Sequence, residues 1–354
     1  MPGVMRITLV SYDDDPPIGG QGVVLRGLRA QLLERGVQVT TISGHGPHAV
    51  HIPRVTGRAP LDLSLLLNRR PGMLTAAAPD LLHAQGGPGG VLLWRRSGVP
   101  IVYTAHHTYR LAHRRGRPQR ALGPLEAVAY RRAAMVLAVS SSTAQSLVAM
   151  GVSAARVEVL PPGIRVAEGG GAVREWKRLL FVGRQEAIKG PLDAVAVMRT
   201  VAEADHEVHG VVVGTGSQAD AVRAACAAAG AGRIEFRGEL EDAELAAEYA
   251  RAAVVIVPSR FEGLGLVALE ANAAGAAVAG YAVPGLRDSG VTGAVLVTPG
   301  DRAALVGAVH SLLADPARRC ELAAAGRERI ASHYSWAAHA NRVLEVYRAV
   351  LASG

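Results

Sequence analysis

Aromatic side chains are scarce in this 354-residue chain, at 4% of its residues. Single-stranded nucleic acid is held by stacking bases on aromatic faces, so a nucleic-acid binder would lack its platforms here. Cysteine is scarcer still. Cys226 and Cys320 sit in helix-like contexts, with no C-x-x-C spacing and no histidine companion. That spacing speaks against a zinc site, and two unpaired thiols suit a reducing cytosol. No apolar run reaches the ~18–20 residues that a membrane span needs. The first one, Met5–Val10, is too short for a signal peptide and lacks its basic-then-apolar order. A cytoplasmic protein is the expectation.

What is present is a core of Ala, Val and Leu, within a hydrophobic content of 49%. The length suits two domains of ordinary size. The Ala and Gly richness reflects a GC-rich coding bias as much as physics, and a bacterial source is expected. The net charge is +8 and the pI about 10.0, which predicts affinity for anions without naming one.

Apolar strand-like runs alternate with Ala/Leu helical stretches from end to end, the pattern of parallel α/β sheets. Strands are expected at Met5–Val10, Val37–Ile42, Leu81–His83, Ile101–Thr104, Met135–Val139 and Val157–Leu160. Pro161-Pro162-Gly163 and Gly169-Gly170-Gly171 then break all periodicity. A second alternation follows at Arg178–Gly183, Glu207–Val213, Arg233–Arg237, Val254–Val257, Ala276–Ala279 and Ala294–Val297. The division expected is a domain over 1–163, a linker over 164–175, a second domain over 176–334 and a terminal helix over 335–354. Both domains read as doubly wound and Rossmann-like, so ligands should lie beyond the carboxyl ends of the strands.

One stretch organises the rest: Pro258-Ser259-Arg260-Phe261-Glu262-Gly263-Leu264-Gly265-Leu266, running on to Glu270. It joins a β-branched strand to a helix through two glycines, so free backbone N–H groups and a positive helix end share one spot. Such a spot favours phosphate. Two carboxylates bracket it, Glu262 and Glu270, with seven residues between them. Carboxylates accept from paired sugar hydroxyls. The spot suits a ligand carrying both phosphate and polyol; a corner with two solvated glutamates is the plainer alternative.

Elsewhere, Gly19-Gly20-Gln21-Gly22 lies between the first strand and its helix, where backbone can approach an anion. His106 and His107 follow a strand end. Gly183-Arg184 and Lys189 follow another; arginine can fork onto one phosphate while lysine adds a point charge. Val213-Gly214-Thr215-Gly216-Ser217-Gln218-Ala219 fits G-x-G-x-x-A with Glu239 further on, the dinucleotide fingerprint. It follows the second strand of its domain rather than the first, which counts against an NAD(P)-dependent oxidoreductase. Asp13-Asp14-Asp15 contains Asp-x-Asp, able in principle to hold a hard cation. A solvated acidic loop, or one touching an acceptor, fits its place better. No Asp/Glu/Cys set accompanies the histidines, so no metal and no further cofactor are expected.

The Glu262…Glu270 stretch closely resembles the signature of retaining glycosyltransferases of the family 4 type, with the GT-B fold of two Rossmann-like domains facing across a cleft. The other motifs stand in that family's order. The resemblance implies transfer of a hexose-type sugar from a UDP- or GDP-sugar to a hydroxyl acceptor, whether glycan, lipid or small natural product, with retention and without a metal. It implies that Glu262 and His106 contact the sugar, that Arg184 and Lys189 neutralise the diphosphate, and that Glu270 holds the ribose. Gly19, Gly20, Gly183, Gly214, Gly216, Gly263, Leu264, Gly265 and Leu266 would surround the donor, with Arg237, Gly238 and Glu239 toward the base. Asp13, Asp14, Asp15, His107 and Arg110 become candidates for the acceptor side. A nucleotide-sugar epimerase of the same fold is the alternative.

Arg110, Arg114, Arg115, Arg117, Arg120, Arg131 and Arg132 crowd one stretch with only Glu126 opposing them. The 110–132 region is either a solvated loop or a surface for an anionic acceptor or an anionic membrane, peripheral on its inner face.

Overall fold

The computed structural model describes residues 4–112, 122–165, 172–230, 232–289 and 292–353. They pack into two units, one of Met1–Gly163 with Ser335–Gly354 and one of Ile164–Tyr334.

The first unit runs β1 (Arg6–Val10), α1 (Gly20–Glu34), β2 (Gln38–Ile42), α2 (Ala59–Arg69), α3 (Gly72–Thr75), β3 (Leu81–Gly86) and β4 (Ile101–Ala105). It continues through α4 (Tyr109–Ala112), α5 (Gly123–Arg132), β5 (Met135–Ala138), α6 (Ser141–Ala149) and β6 (Val157–Val159). The sheet is parallel in the order β2-β1-β3-β4-β5-β6. Every residue of β3 and β4 is buried, as parallel strands covered on both faces require. One face packs Leu82, Ala84 and Tyr103 against Leu63 and Leu67 of α2 and Tyr130 of α5. The other packs Ile7, Leu9 and Val102 against Leu25, Leu28 and Leu32 of α1.

The second unit runs β7 (Glu175–Val182), α7 (Pro191–Ala204), β8 (His209–Val213), α8 (Ala219–Ala228), β9 (Ile234–Gly238) and α9 (Asp242–Arg251). Then come β10 (Ala252–Val257), α10 (Leu266–Ala273), β11 (Ala277–Tyr281), α11 (Pro284–Asp288), β12 (Ala294–Val297), α12 (Arg302–Ala314) and α13 (Pro316–His333). Its parallel order is β12-β11-β10-β7-β8-β9. The last helix, α14 (Trp336–Ala352), belongs to the first unit, where Val343, Val346 and Tyr347 join the α1 side of the core. Each sheet reverses winding direction once, between β1 and β3 and between β10 and β7, and the crevices at such points are where doubly wound sheets bind ligands.

Strand bounds shift from those expected where a polar residue hides a buried strand. β3 continues past His83 to Gly86 because Gln85 and Gly86 pair with Thr104 and Ala105 of β4. β7 starts at Glu175, the last position of the expected linker. No helix among the described residues is long and apolar enough to cross a membrane.

Candidate active site

In the second unit the turns after β7 and β10 are sewn together. The Arg260 amide donates to the Ile188 carbonyl at 2.9 Å, and Lys189 Nζ donates to both Glu262 oxygens at 2.8 Å each. Glu262 follows the buried strand β10, and Lys189 the buried end of β7, so two rigid strands set the pair. The Glu262 side chain is only 9% exposed, a depth at which a carboxylate needs a cation. Arg184 is exposed and makes no side-chain hydrogen bond or ion pair among the described residues.

Glu262 leads through Gly263 and the buried Leu264 to Gly265, which precedes α10 at Leu266. The first helical amides there have no partner within their own helix. Glu270, one turn further, accepts from the Tyr249 hydroxyl at 2.8 Å. Burial, then the Glu270 charge, raises the Tyr249 hydroxyl well above its ordinary range, so it stays a donor. Tyr249 carries no motif signal, and only its place on the inward face of α9 could have pointed to it.

Gly214 and Gly216 owe their identity to their neighbours. A Cβ on Gly214 would lie 2.2 Å from the Gly183 carbonyl, and one on Gly216 2.8 Å from the Gln185 amide. The β7 and β8 turns thus pack backbone to backbone, and Gln185, which is buried, seals them by donating to Gly183 and Val213 carbonyls. That closeness accounts for the glycines without a dinucleotide. Arg237 and Gly238 end β9, and Arg237 is tied into ion pairs with Glu248 at 2.8 Å and Glu244 at 3.4 Å.

In the first unit, His106 stands just beyond β4, nearly buried, with Nε2 2.7 Å from Gln85 Oε1. Burial, then the neighbouring His107 and His83, lower it to about 3, so the ring is neutral at physiological pH. Gln85 was missed in the sequence because it reads as the polar end of an apolar run.

The acidic triplet needs correction. Asp13 is buried and accepts from the amides of Ile18, Gly19 and Gly22 at 2.8, 2.9 and 3.0 Å. It occupies the positive end of α1 itself, so the Gly19 amide is not available to a diphosphate. A Cβ at Gly22 would lie 2.7 Å from the Asp13 carboxylate, the reason for glycine there. Burial raises the Asp13 carboxyl against the lowering effect of those amides. Asp14 is fully buried and holds Arg29 at 2.6 Å and His48 at 2.7 Å. Neither is a solvated loop residue or free for an acceptor. Asp15 keeps a partly exposed side chain paired with Arg26 at 3.4 Å. No group of three metal-ligating side chains occurs among the described residues.

Arg110, Arg131 and Arg132 are exposed, and Arg114, Arg115, Arg117 and Arg120 lie outside the described residues. Glu126, expected to oppose them, is fully buried and accepts from the Tyr109 amide at 2.8 Å. Burial raises it to about 8. His107 is half-buried beside His106.

Two parallel doubly wound units, with cations, carboxylates and helix-end amides at strand ends, are the architecture of the GT-B class. Family models agree: glycosyl transferases group 1 matches residues 176–315, and glycosyltransferase family 4 matches residues 18–168. The chain is 30% identical to a D-inositol 3-phosphate glycosyltransferase of Xylanimonas cellulosilytica over 98% of both chains. It is 33% identical to the 2-deoxystreptamine N-acetyl-D-glucosaminyltransferase of Streptomyces fradiae, over 94% of this chain and 91% of that one. A glycogen synthase of Mycobacterium tuberculosis is 31% identical over 77% of this chain and 69% of its own. The chain belongs to the family 4 glycosyltransferases. In fold it is similar to sucrose-phosphate synthase of Thermosynechococcus elongatus, with a TM-score of 0.78, 24% identity and coverage of 99% and 100%. It is also similar to Anabaena HepE solved with UDP-glucose, with a TM-score of 0.74, 17% identity and coverage of 98% and 100%.

Proposed function

We propose that the protein moves a hexose-type sugar from a UDP- or GDP-sugar to a hydroxyl of a small anionic or polyhydroxylated acceptor, with retention of anomeric configuration. The observation that carries this reading is the Lys189–Glu262 pair at the head of α10, with Tyr249–Glu270 one turn beyond. A departing diphosphate needs cations and amide donors, and Lys189, Arg184 and the first amides of α10 supply them. An electron-poor sugar needs oriented acceptors; Glu262 supplies one, and the family resemblance makes the neutral His106 a second candidate. Glu270, held by Tyr249, takes the ribose diol. These groups carry the neutralisation, so transfer should continue in EDTA.

The acceptor side rests on charge. Residues 1–163 with 335–354 hold 20 arginines against 9 carboxylates, a net +11, whereas residues 164–334 carry −3. Two relatives are named for cyclitols, D-inositol 3-phosphate and 2-deoxystreptamine, and an inositol phosphate matches a basic unit. An anionic membrane would be drawn to the same unit, at about 1 kcal/mol per basic residue near the surface. Pelleting with anionic vesicles at low and high salt tests that version; no binding at low salt ends it.

The deciding experiment pairs a thermal-shift screen of UDP, GDP, ADP and TDP with product analysis. Ligand at 100 times its Kd adds ~2.7 kcal/mol. Free nucleotide diphosphate and an acceptor glycosylated with the donor's anomeric configuration are expected. An inverted product would remove the retaining reading, and a free epimerised nucleotide-sugar would show an epimerase.

A further inference from the structure

Gln85 is a fully buried polar side chain that hydrogen-bonds His106, and its bonding is lopsided. Its Oε1 lies 2.7 Å from His106 Nε2, while its own Nε2 is buried with no partner among the described residues. Burying an amide donor unsatisfied is costly, so a leucine or methionine would serve packing better. The residue sits where function concentrates, at the carboxyl end of β3 beside the reversal point between β1 and β3.

We propose that Gln85 is a positioning residue: its carbonyl oxygen holds His106 as the Nε2–H tautomer, so that Nδ1 is presented as a hydrogen-bond acceptor to a hydroxyl of the transferred sugar. This rests on the glycosyltransferase reading above. A neutral imidazole has one N–H and one lone pair, and an acceptor at one nitrogen fixes which is which. His106 Nδ1 has no protein hydrogen bond among the described residues. The surroundings keep the ring uncharged: His83 is itself neutral, bonded at 2.5 Å to the Tyr347 hydroxyl and at 2.8 Å to Thr104, and His107 is the other titratable neighbour. No carboxylate figures among the groups that shift it, so nothing favours an imidazolium. A charged ring would donate from both nitrogens and could not accept from a sugar hydroxyl.

The test reads the ring directly. Protein labelled with ¹⁵N-histidine, with His106 assigned by its loss in His106→Gln, should show the proton on Nε2 and no titration from about pH 5 to 8. Gln85→Glu places a carboxylate on Nε2–H and should make the ring titrate. Its kcat/KM should then gain an acid limb at the same midpoint, because protonation removes the acceptor. Nucleotide diphosphate affinity should be unchanged in that variant. Gln85→Leu should lower kcat about 10-fold and mix the tautomers. A wild type that transfers sugar while its His106 carries the proton on Nδ1, or titrates near ~6.5, overturns the positioning alone. A wild type with the stated tautomer but no transfer overturns the transferase reading beneath it.

Discussion

Lys189 Nζ lies 2.8 Å from each oxygen of Glu262, so the cation expected at the diphosphate and the carboxylate expected at the sugar are bonded to one another. The pair is largely shielded, with side chains 23% and 9% exposed, and each partner holds the other in place. A diphosphate would draw on Lys189 and leave Glu262 to accept from sugar hydroxyls. Lys189→Ala should weaken nucleotide diphosphate binding by ~1.5–3 kcal/mol, or about 10–100-fold, and scarcely affect the nucleoside. Calorimetry with both ligands checks this; an equal loss for both would show that Lys189 does not read phosphate.

Glu270 is held by the Tyr249 hydroxyl at 2.8 Å, and an ionised carboxylate, with two acceptor oxygens, suits the paired hydroxyls of a ribose. Glu270→Gln should raise the Kd of a ribonucleotide donor, since an amide offers one acceptor atom rather than two. A 2′-deoxy donor should lose much less. Equal losses would remove the ribose assignment.

Asp13 ties three amides at the start of α1, so its role is to hold the helix rather than a ligand. Asp13→Asn keeps the shape but turns one acceptor oxygen into a donor facing N–H groups. Urea unfolding should show a loss of roughly 1–3 kcal/mol with an unchanged m-value. Weaker donor binding at unchanged stability would contradict the capping role.

The alternation of strands and helices, and the order of the motifs, were legible because strands such as Ala252–Val257 are wholly apolar and glycines mark their turns. Partnerships between distant positions were not. Nothing local says that Asp13 turns back onto α1, that Asp14 is buried with Arg29, or that Lys189 meets Glu262 across 73 positions. The G-x-G-x-x-A match, already weakened by its place after the second strand, has a physical cause of the same kind. Its glycines answer the Gly183–Gln185 turn, which lies far off in sequence and close in space. Glu126 shows the limit most plainly: a charge among arginines reads as solvated, and only the fold buries it.

Glu126 also sets a pH dependence with a definite sign. Its carboxyl is raised from 4.5 to about 8, because burial penalises the charge more than the Tyr109 amide supports it. Below about 4.5 the carboxyl is protonated in both folded and unfolded chains and costs nothing. Between there and about 8 the unfolded chain releases its proton while the folded one retains it, so rising pH lowers stability. The slope is at most about 1.4 kcal/mol per pH unit, and above the folded value the penalty stays constant. Glu126→Gln keeps an acceptor for the Tyr109 amide and removes the ionisation. Asp13 is raised as well, but it is present in both proteins and cancels from the difference. Urea unfolding of the two at pH values from 4.5 to 9 should show near-equal stability at the acid end. The variant should then become progressively the more stable up to about pH 8. Parallel curves across that range would mean that Glu126 ionises at its ordinary value and that its buried setting carries a compensating partner.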